Sequence, residues 1–149
     1  MVEDKKKKQY DFMGKMILVV EDMETNHMII DSILRRTYAQ VLWAMDGETG
    51  IELCKEHENI DLVLMDIRLP GIDGYETTRI IRKLRPDLPI VAQTAYVYHN
   101  NKHLVLDAGC DDLITKPIKR DVLLRKVNKY IHKGRKATEE EFVYKTISS

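Results

Sequence analysis

The sequence predicts a doubly wound α/β domain with a five-stranded parallel sheet in the strand order 2-1-3-4-5. Three observations lead to this prediction. Five short apolar runs alternate along the chain with segments of helical periodicity. The connecting segments hold helices of about three turns, which implies parallel strands, right-handed crossovers and helices on both faces of the sheet. Of the two common doubly wound strand orders, five strands favour 2-1-3-4-5.

Each predicted strand is a short apolar run that ends in polar or turn-forming residues. The central run, Leu62 to Met65, is uninterrupted, as is typical of a strand buried on both faces. It stops at Asp66, ahead of the turn residues Pro70 and Gly71. The predicted strands are residues 16–20, 40–44, 61–66, 88–94 and 112–115.

The helices are predicted from apolar residues at helical spacing and from stop signals such as Pro86 and Gly109. One helix follows Asp46-Gly47, and the others cover about residues 24–36, 75–84, 99–107 and 120–132. In the third helix we expect Arg82 to point outward. In the first helix Ile29, Ile30, Ile33 and Leu34 share one face, which we expect to be buried. The fourth helix is weaker, with Val105 and Leu106 as its apolar positions.

Composition and charge narrow the class of protein. Lys plus Arg and Asp plus Glu both number 24, so the formal net charge is zero. This balance argues against direct nucleic-acid binding, for which a basic excess is usual. No apolar run approaches the roughly 18 residues of a membrane helix, so we expect no membrane insertion. Cys54 and Cys110 form no CxxC pair, which argues against a zinc site or a disulfide framework and favours a reducing cytoplasm.

Both ends of the sequence are polar. We therefore expect a basic lead-in or linker at residues 1–14, one domain at residues 15–133, and a C-terminal tail or short helix at residues 134–149.

Polar side chains stand at the ends of four predicted strands: Glu21 and Asp22, Asp66, Thr94, and Lys116. In the predicted order the carboxyl ends of strands 1, 3, 4 and 5 are neighbours, so these groups face one pocket. Three carboxylates there would repel one another, and a hard divalent cation with oxygen ligands removes that cost. Mg²⁺ is the expected cation, because it keeps several waters and shares its coordination shell with phosphate.

This pocket has the parts that phosphoryl transfer needs. Asp66 is the candidate that attacks phosphorus and forms an acyl phosphate. Asp22, Asp66 and a backbone carbonyl just after Asp66 would hold the metal. The ammonium of Lys116 would balance one phosphoryl oxygen as a point charge, and the hydroxyl of Thr94 would donate to another.

Four motifs at these strand ends resemble the receiver domain of two-component response regulators, most closely receivers of hybrid sensor histidine kinases. They are Val19-Val-Glu-Asp22, Leu64-Met-Asp-Ile-Arg-Leu-Pro-Gly-Ile-Asp-Gly74, Gln93-Thr-Ala95 and Ala108-Gly-Cys-Asp-Asp-Leu-Ile-Thr-Lys-Pro117. The resemblance covers about residues 15–133 and implies a flavodoxin-like (βα)5 fold. It implies that a histidine kinase or a histidine phosphotransfer domain phosphorylates Asp66 with Mg²⁺.

The same resemblance assigns roles to individual residues. The metal would contact Asp22, Asp66 and the Ile67 carbonyl, with Glu21 nearby in a second shell or through water. Phosphoryl binding and switching would fall to Thr94 and Lys116, and the Lys116–Pro117 bond would be cis. The expected partner surface is the helix 4–strand 5–helix 5 face, about residues 98–132, which would also serve a homodimer.

Three positions are expected to modulate the switch. Leu113 stands where family members commonly carry a Tyr or Phe that changes rotamer on activation. Arg68 and Tyr96 match the positions that flank the phosphoryl group, where bulk and charge would slow attack by water. Tyr96 and Tyr98 lie close by in sequence and are candidates to replace the aromatic side chain that is missing at Leu113.

Other functions remain open from the residues. A phosphatase of the haloacid dehalogenase kind needs a second Asp two residues after its nucleophile, where this chain has Arg68. A flavodoxin-like FMN carrier needs a phosphate loop after the first strand, and Glu21 and Asp22 would repel a phosphate there. A receiver fold that is never phosphorylated is the remaining alternative, which Leu113 keeps open. We expect a domain that catalyses its own phosphorylation and dephosphorylation but has no separate turnover substrate. We expect it to lie in the cytoplasm, free or as the cytoplasmic part of a membrane-bound hybrid kinase.

Overall fold

The computed structural model describes residues 9–95 and 99–133, and ten elements alternate along them. The strands are β1 (Met16–Val20), β2 (Gln40–Ala44), β3 (Leu62–Asp66), β4 (Ile90–Thr94) and β5 (Asp112–Thr115). The helices are α1 (Glu24–Arg35), α2 (Gly47–Glu56), α3 (Gly74–Leu84), α4 (His99–Ala108) and α5 (Arg120–Tyr130). The predicted elements therefore all exist, with boundaries that differ by a residue or two.

The five strands form one parallel sheet in the order β2-β1-β3-β4-β5, which confirms the predicted fold. The register brings the carboxyl ends of the strands to one edge. Val20 lies opposite Met65, Asp66 opposite Gln93, and Thr94 opposite Thr115. We call this edge of the sheet the rim.

The core has two apolar layers, one on each face of the sheet. Leu18 of β1 belongs to the layer under α2, α3 and α4, whereas Val19 belongs to the layer under α1 and α5. Successive side chains of a strand point to opposite faces, so a strand covered on both sides is apolar at every position. All five residues of β1, β3 and β4 are buried, whereas β2, at the edge of the sheet, is largely half-buried.

Not every apolar position of α1 and α4 is buried, and the inward prediction for Ile29 is wrong. Ile29 of α1 is 49% exposed and Leu106 of α4 is 45% exposed, whereas Ile30 and Val105 are fully buried. Each short helix presents only a narrow stripe to the sheet, and neighbouring residues are about 100° apart around the helix axis. Burial therefore selects one residue of each adjacent apolar pair.

Arg82 does not point outward as predicted. Its guanidinium bonds the carbonyl oxygens of Gly109 at 2.6 Å and Leu88 at 2.6 Å, and it pairs with Asp111 at 3.0 Å. Leu88 and Gly109 lie in the segments that lead into β4 and β5, at the edge of the sheet opposite the rim. Helical periodicity places charged side chains in solvent and does not predict that Arg82 binds several backbone carbonyls at once.

The segment before β1 packs on the domain. Phe12 is 1% exposed and lies in the layer under α1 and α5, and its amide bonds the Thr37 carbonyl at 2.7 Å. The division into residues 1–14, 15–133 and 134–149 stays a prediction, because residues 1–8 and 134–149 lie outside the described residues. Across residues 9–95 and 99–133, none of the helices combines the length and the apolar character needed to cross a bilayer.

Candidate functional site

The rim brings together an acid that follows β1, an acid at the end of β3 and a base that follows β5. Lys116 Nζ lies 3.1 Å from Asp66 Oδ2 and 3.3 Å from Glu21 Oε2. All three side chains are largely withdrawn from water, with 6%, 0% and 18% exposure for Asp66, Glu21 and Lys116. The predicted convergence of the strand ends therefore holds for these residues. Charges this poorly hydrated interact far more strongly than surface ion pairs do.

The three carboxylates of the rim form one cluster. One oxygen atom from each of Glu21, Asp22 and Asp66 lies within 4.8 Å of the other two. Burial raises the pKa of Glu21 to about 8, and a hydrogen bond and the charge of Asp66 act in the same direction. A hydrogen bond from Asn26 and the charge of Lys116 oppose this rise only in part. One ammonium thus does not balance the carboxylates, and the oxygen-only donor set suits a hard divalent cation.

The loop after β3 holds Asp66 in place. The Arg68 amide donates to Asp66 Oδ1 at 3.1 Å, and the Gly74 amide donates to the Ile67 carbonyl at 2.9 Å. Asp73 then caps α3 by accepting from the Glu76 amide at 2.9 Å.

Glycine is required at the start of α3, because a Cβ on Gly74 would lie 2.2 Å from the Asp66 carbonyl oxygen. The helix therefore begins in direct contact with the backbone of the acceptor residue. This contact explains the turn chemistry that follows Asp66 in the sequence.

The loop after β1 is pinned from the edge strand. The Glu21 amide donates to the Ala44 carbonyl at 3.0 Å, which extends the ladder by one bond beyond β1. The next acceptor, the Glu21 carbonyl, is bonded by Trp43 Nε1 at 2.7 Å. The His27 ring of α1 stacks on this indole, with ring centroids 4.1 Å apart and planes 7° apart. Trp43 therefore fixes the peptide that joins Glu21 to Asp22.

The segment after β5 completes the rim. The Lys116–Pro117 bond is cis, as the resemblance implies. The Lys116 amide donates to the Thr94 carbonyl at 2.8 Å, so the two predicted phosphoryl-binding residues are joined through their backbones. Leu113 is half-buried and packs against the layer under α2, α3 and α4. Arg68 is exposed beside Asp66, whereas Tyr96 and Tyr98 lie outside the described residues.

The structure also adds residues to the site that the sequence did not single out. Trp43 bonds the Glu21 carbonyl, and Asn26 hydrogen-bonds the Glu21 side chain. Gln93 is 0% exposed, and among the described residues its side-chain atoms have no hydrogen-bond partner. Its place in a strand that is otherwise apolar up to Thr94 was the available signal, since a polar residue in a buried strand needs a partner.

Comparisons with known proteins agree with this geometry. A family model described as the response regulator receiver domain matches residues 17–128. The autoinducer 2 sensor kinase/phosphatase LuxQ of Vibrio vulnificus is 40% identical over 111 residues, which cover 74% of this chain. The matched region is 13% of LuxQ, so the chain spans a small part of that relative.

Two solved structures share the fold. The receiver domain of the sensor histidine kinase PA1611 from Pseudomonas aeruginosa, solved with a magnesium ion in its active-site cleft, is 36% identical, with a TM-score of 0.73 over 80% of this chain and 98% of that chain. A chain from the co-crystal structure of the Saccharomyces cerevisiae phosphotransfer protein Ypd1 with the receiver domain of Ssk1 is 28% identical. Its TM-score is 0.74 over 83% of this chain and 91% of that chain.

Proposed function

The chain belongs to the response regulator receiver domain family, and we propose that it accepts a phosphoryl group on Asp66 within a two-component phosphorelay. The observation that carries the proposal is the buried contact of Lys116 with Asp66 at 3.1 Å, beside the carboxylates of Glu21 and Asp22. A positioned carboxylate nucleophile, a neighbouring cation and a cluster of metal ligands are the parts that this chemistry needs. The alternatives of a haloacid dehalogenase or a flavin carrier are set aside by the family match.

The reaction is the transfer of one phosphoryl group between two proteins. An oxygen of Asp66 attacks phosphorus on a phosphohistidine donor, the phosphorus–nitrogen bond breaks, and the imidazole leaves with the electron pair. The Lys116 ammonium, already within 3.1 Å of Asp66, then balances the charge of one phosphoryl oxygen. We assign the hydroxyl of Thr94, at the end of the neighbouring strand, to another oxygen. The domain promotes this reaction and its own dephosphorylation but has no separate turnover substrate.

We propose Mg²⁺ as the cation of the carboxylate cluster. Its ligands would be Asp22, Asp66 and the Ile67 carbonyl, with Glu21 bound through water. The Ile67 carbonyl already accepts a bond from Gly74 at 2.9 Å, which leaves one of its two lone pairs for a metal. The Arg68 carbonyl, next along the chain, is the alternative ligand. Bound Mg²⁺ would neutralise the clustered carboxylates and attract a phosphate oxygen.

The output of the domain would be a population shift between two conformations, biased by the added phosphoryl group. Thr94 and Lys116 are placed to carry the change, because their backbones are joined by a 2.8 Å hydrogen bond across β4 and the segment after β5. Leu113 takes the place of the usual aromatic, so we expect the movement of Thr94 to be coupled to repacking of an aliphatic side chain.

Arg68 and Tyr96 are proposed to protect the acyl phosphate from water. Replacing both with Ala should shorten the phosphoryl half-life, because bulk and positive charge beside the phosphorus are lost. The measurement is decay of the phosphorylated mass after removal of the donor, with Arg79→Ala, a distant exposed arginine of α3, as the control. An unchanged half-life in the double variant would contradict this role.

The partner is proposed to be a histidine kinase or a histidine phosphotransfer domain. Support comes from the similarity to receivers of sensor kinases and to a chain from the Ypd1–Ssk1 co-crystal. We place the domain in the cytoplasm. A homodimer through α4, β5 and α5 is a further proposal, favoured by Leu104 and Leu106, which are 48% and 45% exposed on α4.

Intact mass spectrometry after incubation with acetyl phosphate tests the proposed function. The wild type should gain the mass of one phosphoryl group in the presence of Mg²⁺ and none in EDTA, and Asp66→Asn should gain none. No gain by a folded wild type in Mg²⁺ would favour the alternative, an interaction module that is not phosphorylated.

A further inference from the structure

Gln93 is a buried amide at an unusual place for a polar side chain. It is the fourth residue of β4, it is 0% exposed, and within the described part of the chain neither Oε1 nor Nε2 has a hydrogen-bond partner. The three residues before it in the strand are apolar and buried. An unpaired buried amide destabilises a fold, and an apolar side chain of similar volume would avoid that cost. Its presence therefore calls for a partner that residues 9–95 and 99–133 do not supply in this conformation.

The strand pattern places this amide on the same face of the sheet as the phosphorylation site. Val91 of β4 and Leu64 of β3 both belong to the apolar layer under α1 and α5. Because side chains alternate along a strand, Gln93 and Asp66, each two residues further on, point to that same face.

The register makes Gln93 and Asp66 direct neighbours, since their Cα atoms are paired across β3 and β4. Neighbouring strands run about 4.8 Å apart, a distance that the side chain of a glutamine can bridge. On the other side, Gln93 is paired with Ile114 of β5, two residues before Lys116. The amide therefore lies between the strands that deliver Asp66 and Lys116.

We propose that Gln93 is a positioning residue of the phosphorylated state, in which its amide hydrogen-bonds to the Asp66–Lys116 pair. In the resting domain Lys116 Nζ bonds Asp66 Oδ2 at 3.1 Å. When a phosphoryl group is added to Asp66, its oxygens attract the ammonium, and the carbonyl oxygen of the new acyl phosphate loses a donor. The Gln93 Nε2–H group, on the neighbouring strand directly opposite Asp66, would then donate to it. The inference rests on the proposed function of Asp66.

This role couples stability to the switch. In the resting state the amide has no partner among the described residues, whereas the phosphorylated state would pair it. Gln93 would therefore favour the phosphorylated state relative to the resting state. A side chain of the same length without polar atoms should do the opposite. Gln93→Met is the closest such change, because both side chains are unbranched and similar in volume.

The test measures two properties of Gln93→Met against the wild type. Urea unfolding without ligand should show a higher midpoint, because the unpaired amide is gone. Binding of beryllofluoride, an analogue of the phosphoryl group on aspartate, should weaken about three- to tenfold in Mg²⁺, as expected for one lost hydrogen bond. A lower unfolding midpoint in Gln93→Met, or an unchanged beryllofluoride affinity, would overturn the proposal.

A buried polar residue far from the rim serves as the matched control. Thr78 of α3 is 0% exposed and contacts Cys110 Sγ at 3.7 Å. Thr78→Val should change stability but leave the beryllofluoride affinity within about twofold of wild type, because its partner is not part of the site. A wild type that binds no beryllofluoride in Mg²⁺ would refute the proposed function itself. Wild-type binding that Gln93→Met fully retains would refute the role of Gln93 alone.

The wild type offers a measurement that needs no folded variant. The Nε2 protons of Gln93 should shift in ¹⁵N-resolved NMR spectra when beryllofluoride and Mg²⁺ are added, and they should become slower to exchange with water. An Nε2 signal that does not change under saturating beryllofluoride would overturn the proposal, because the amide would then have gained no partner.

Discussion

The buried acid Glu21 should make the metal-free domain less stable as the pH rises. Its side chain is 0% exposed, and burial, together with the neighbouring Asp66, raises its pKa to about 8 from 4.5. The unfolded chain releases this proton near pH 4.5, whereas the folded domain keeps it until about pH 8. Between those values the unfolded state binds fewer protons, so the free energy of unfolding falls with rising pH.

The size of the effect follows from the same two pKa values. A change from 4.5 to about 8 corresponds to at most about 5 kcal/mol, because each tenfold change in a proton-binding constant is worth about 1.4 kcal/mol. Glu21→Gln removes the titrating group and keeps the shape. The stability of Glu21→Gln relative to the wild type should therefore grow between pH 4.5 and pH 8, by several kcal/mol.

Urea unfolding followed by circular dichroism in EDTA measures this difference at pH 4.5, 6 and 8. Comparing the variant with the wild type at each pH cancels the titration of the groups that do not interact with Glu21. Glu52→Gln is the control, because the Glu52 side chain is 62% exposed and its substitution should give a difference that is flat with pH. A flat difference for Glu21→Gln as well would refute the view that the rim holds an unbalanced buried carboxylate.

Three further predictions follow from contacts around the rim and the opposite edge. Trp43→Phe removes the 2.7 Å hydrogen bond to the Glu21 carbonyl and should weaken Mg²⁺ binding about three- to tenfold, measured by calorimetry. Val41→Ala, on the same strand and face, should leave Mg²⁺ binding unchanged. Equal Mg²⁺ affinities of the two variants would contradict the role of the indole. Gly74→Ala places a Cβ 2.2 Å from the Asp66 carbonyl oxygen and should lower the free energy of unfolding in urea by more than about 3 kcal/mol. Gly14→Ala is the control, because its Cβ would meet nothing within 4 Å. It should lower the free energy of unfolding by about 1 kcal/mol, because Gly14 has a φ of +82°. Arg82→Met removes the guanidinium hydrogen bonds to the Gly109 and Leu88 carbonyls and should lower the free energy of unfolding by about 2–4 kcal/mol. Replacing the exposed Arg79 with Met should lower it by less than about 0.5 kcal/mol. Similar losses in the two variants would show that the Arg82 hydrogen bonds contribute little to stability.

The parts of the fold that the sequence predicts are those set by simple periodicity. Uninterrupted apolar runs such as Leu62–Met65 can only be covered on both faces, and this fixes the layers and the parallel sheet. A parallel sheet in turn brings all carboxyl ends to one edge, so the approach of Asp66 and Lys116 follows from topology. The site was predictable because strand ends, and not loop conformations, deliver most of its residues.

The details that the sequence does not predict depend on tertiary packing. The full burial of Glu21 depends on the side chains that pack around it, among them Asp66 and Lys116, and periodicity does not describe such packing. The hydrogen bond from Trp43 to the Glu21 carbonyl depends on the register of β2 against β1. The contacts of Arg82 depend on how the segments before β4 and β5 pack beside α3. For adjacent apolar pairs such as Ile29 and Ile30, only the rotation of the helix selects the buried member.

Chemical trapping of the phosphorylated residue would identify the phosphoacceptor by its position in the sequence. Borohydride reduces an acyl phosphate to an alcohol and so converts the modified aspartate into homoserine, which tandem mass spectrometry locates in the sequence. After incubation with acetyl phosphate and Mg²⁺, we expect homoserine at position 66 and at no other aspartate. Homoserine at Asp22 or elsewhere, or none at all from a folded and Mg²⁺-bound domain, would contradict the account.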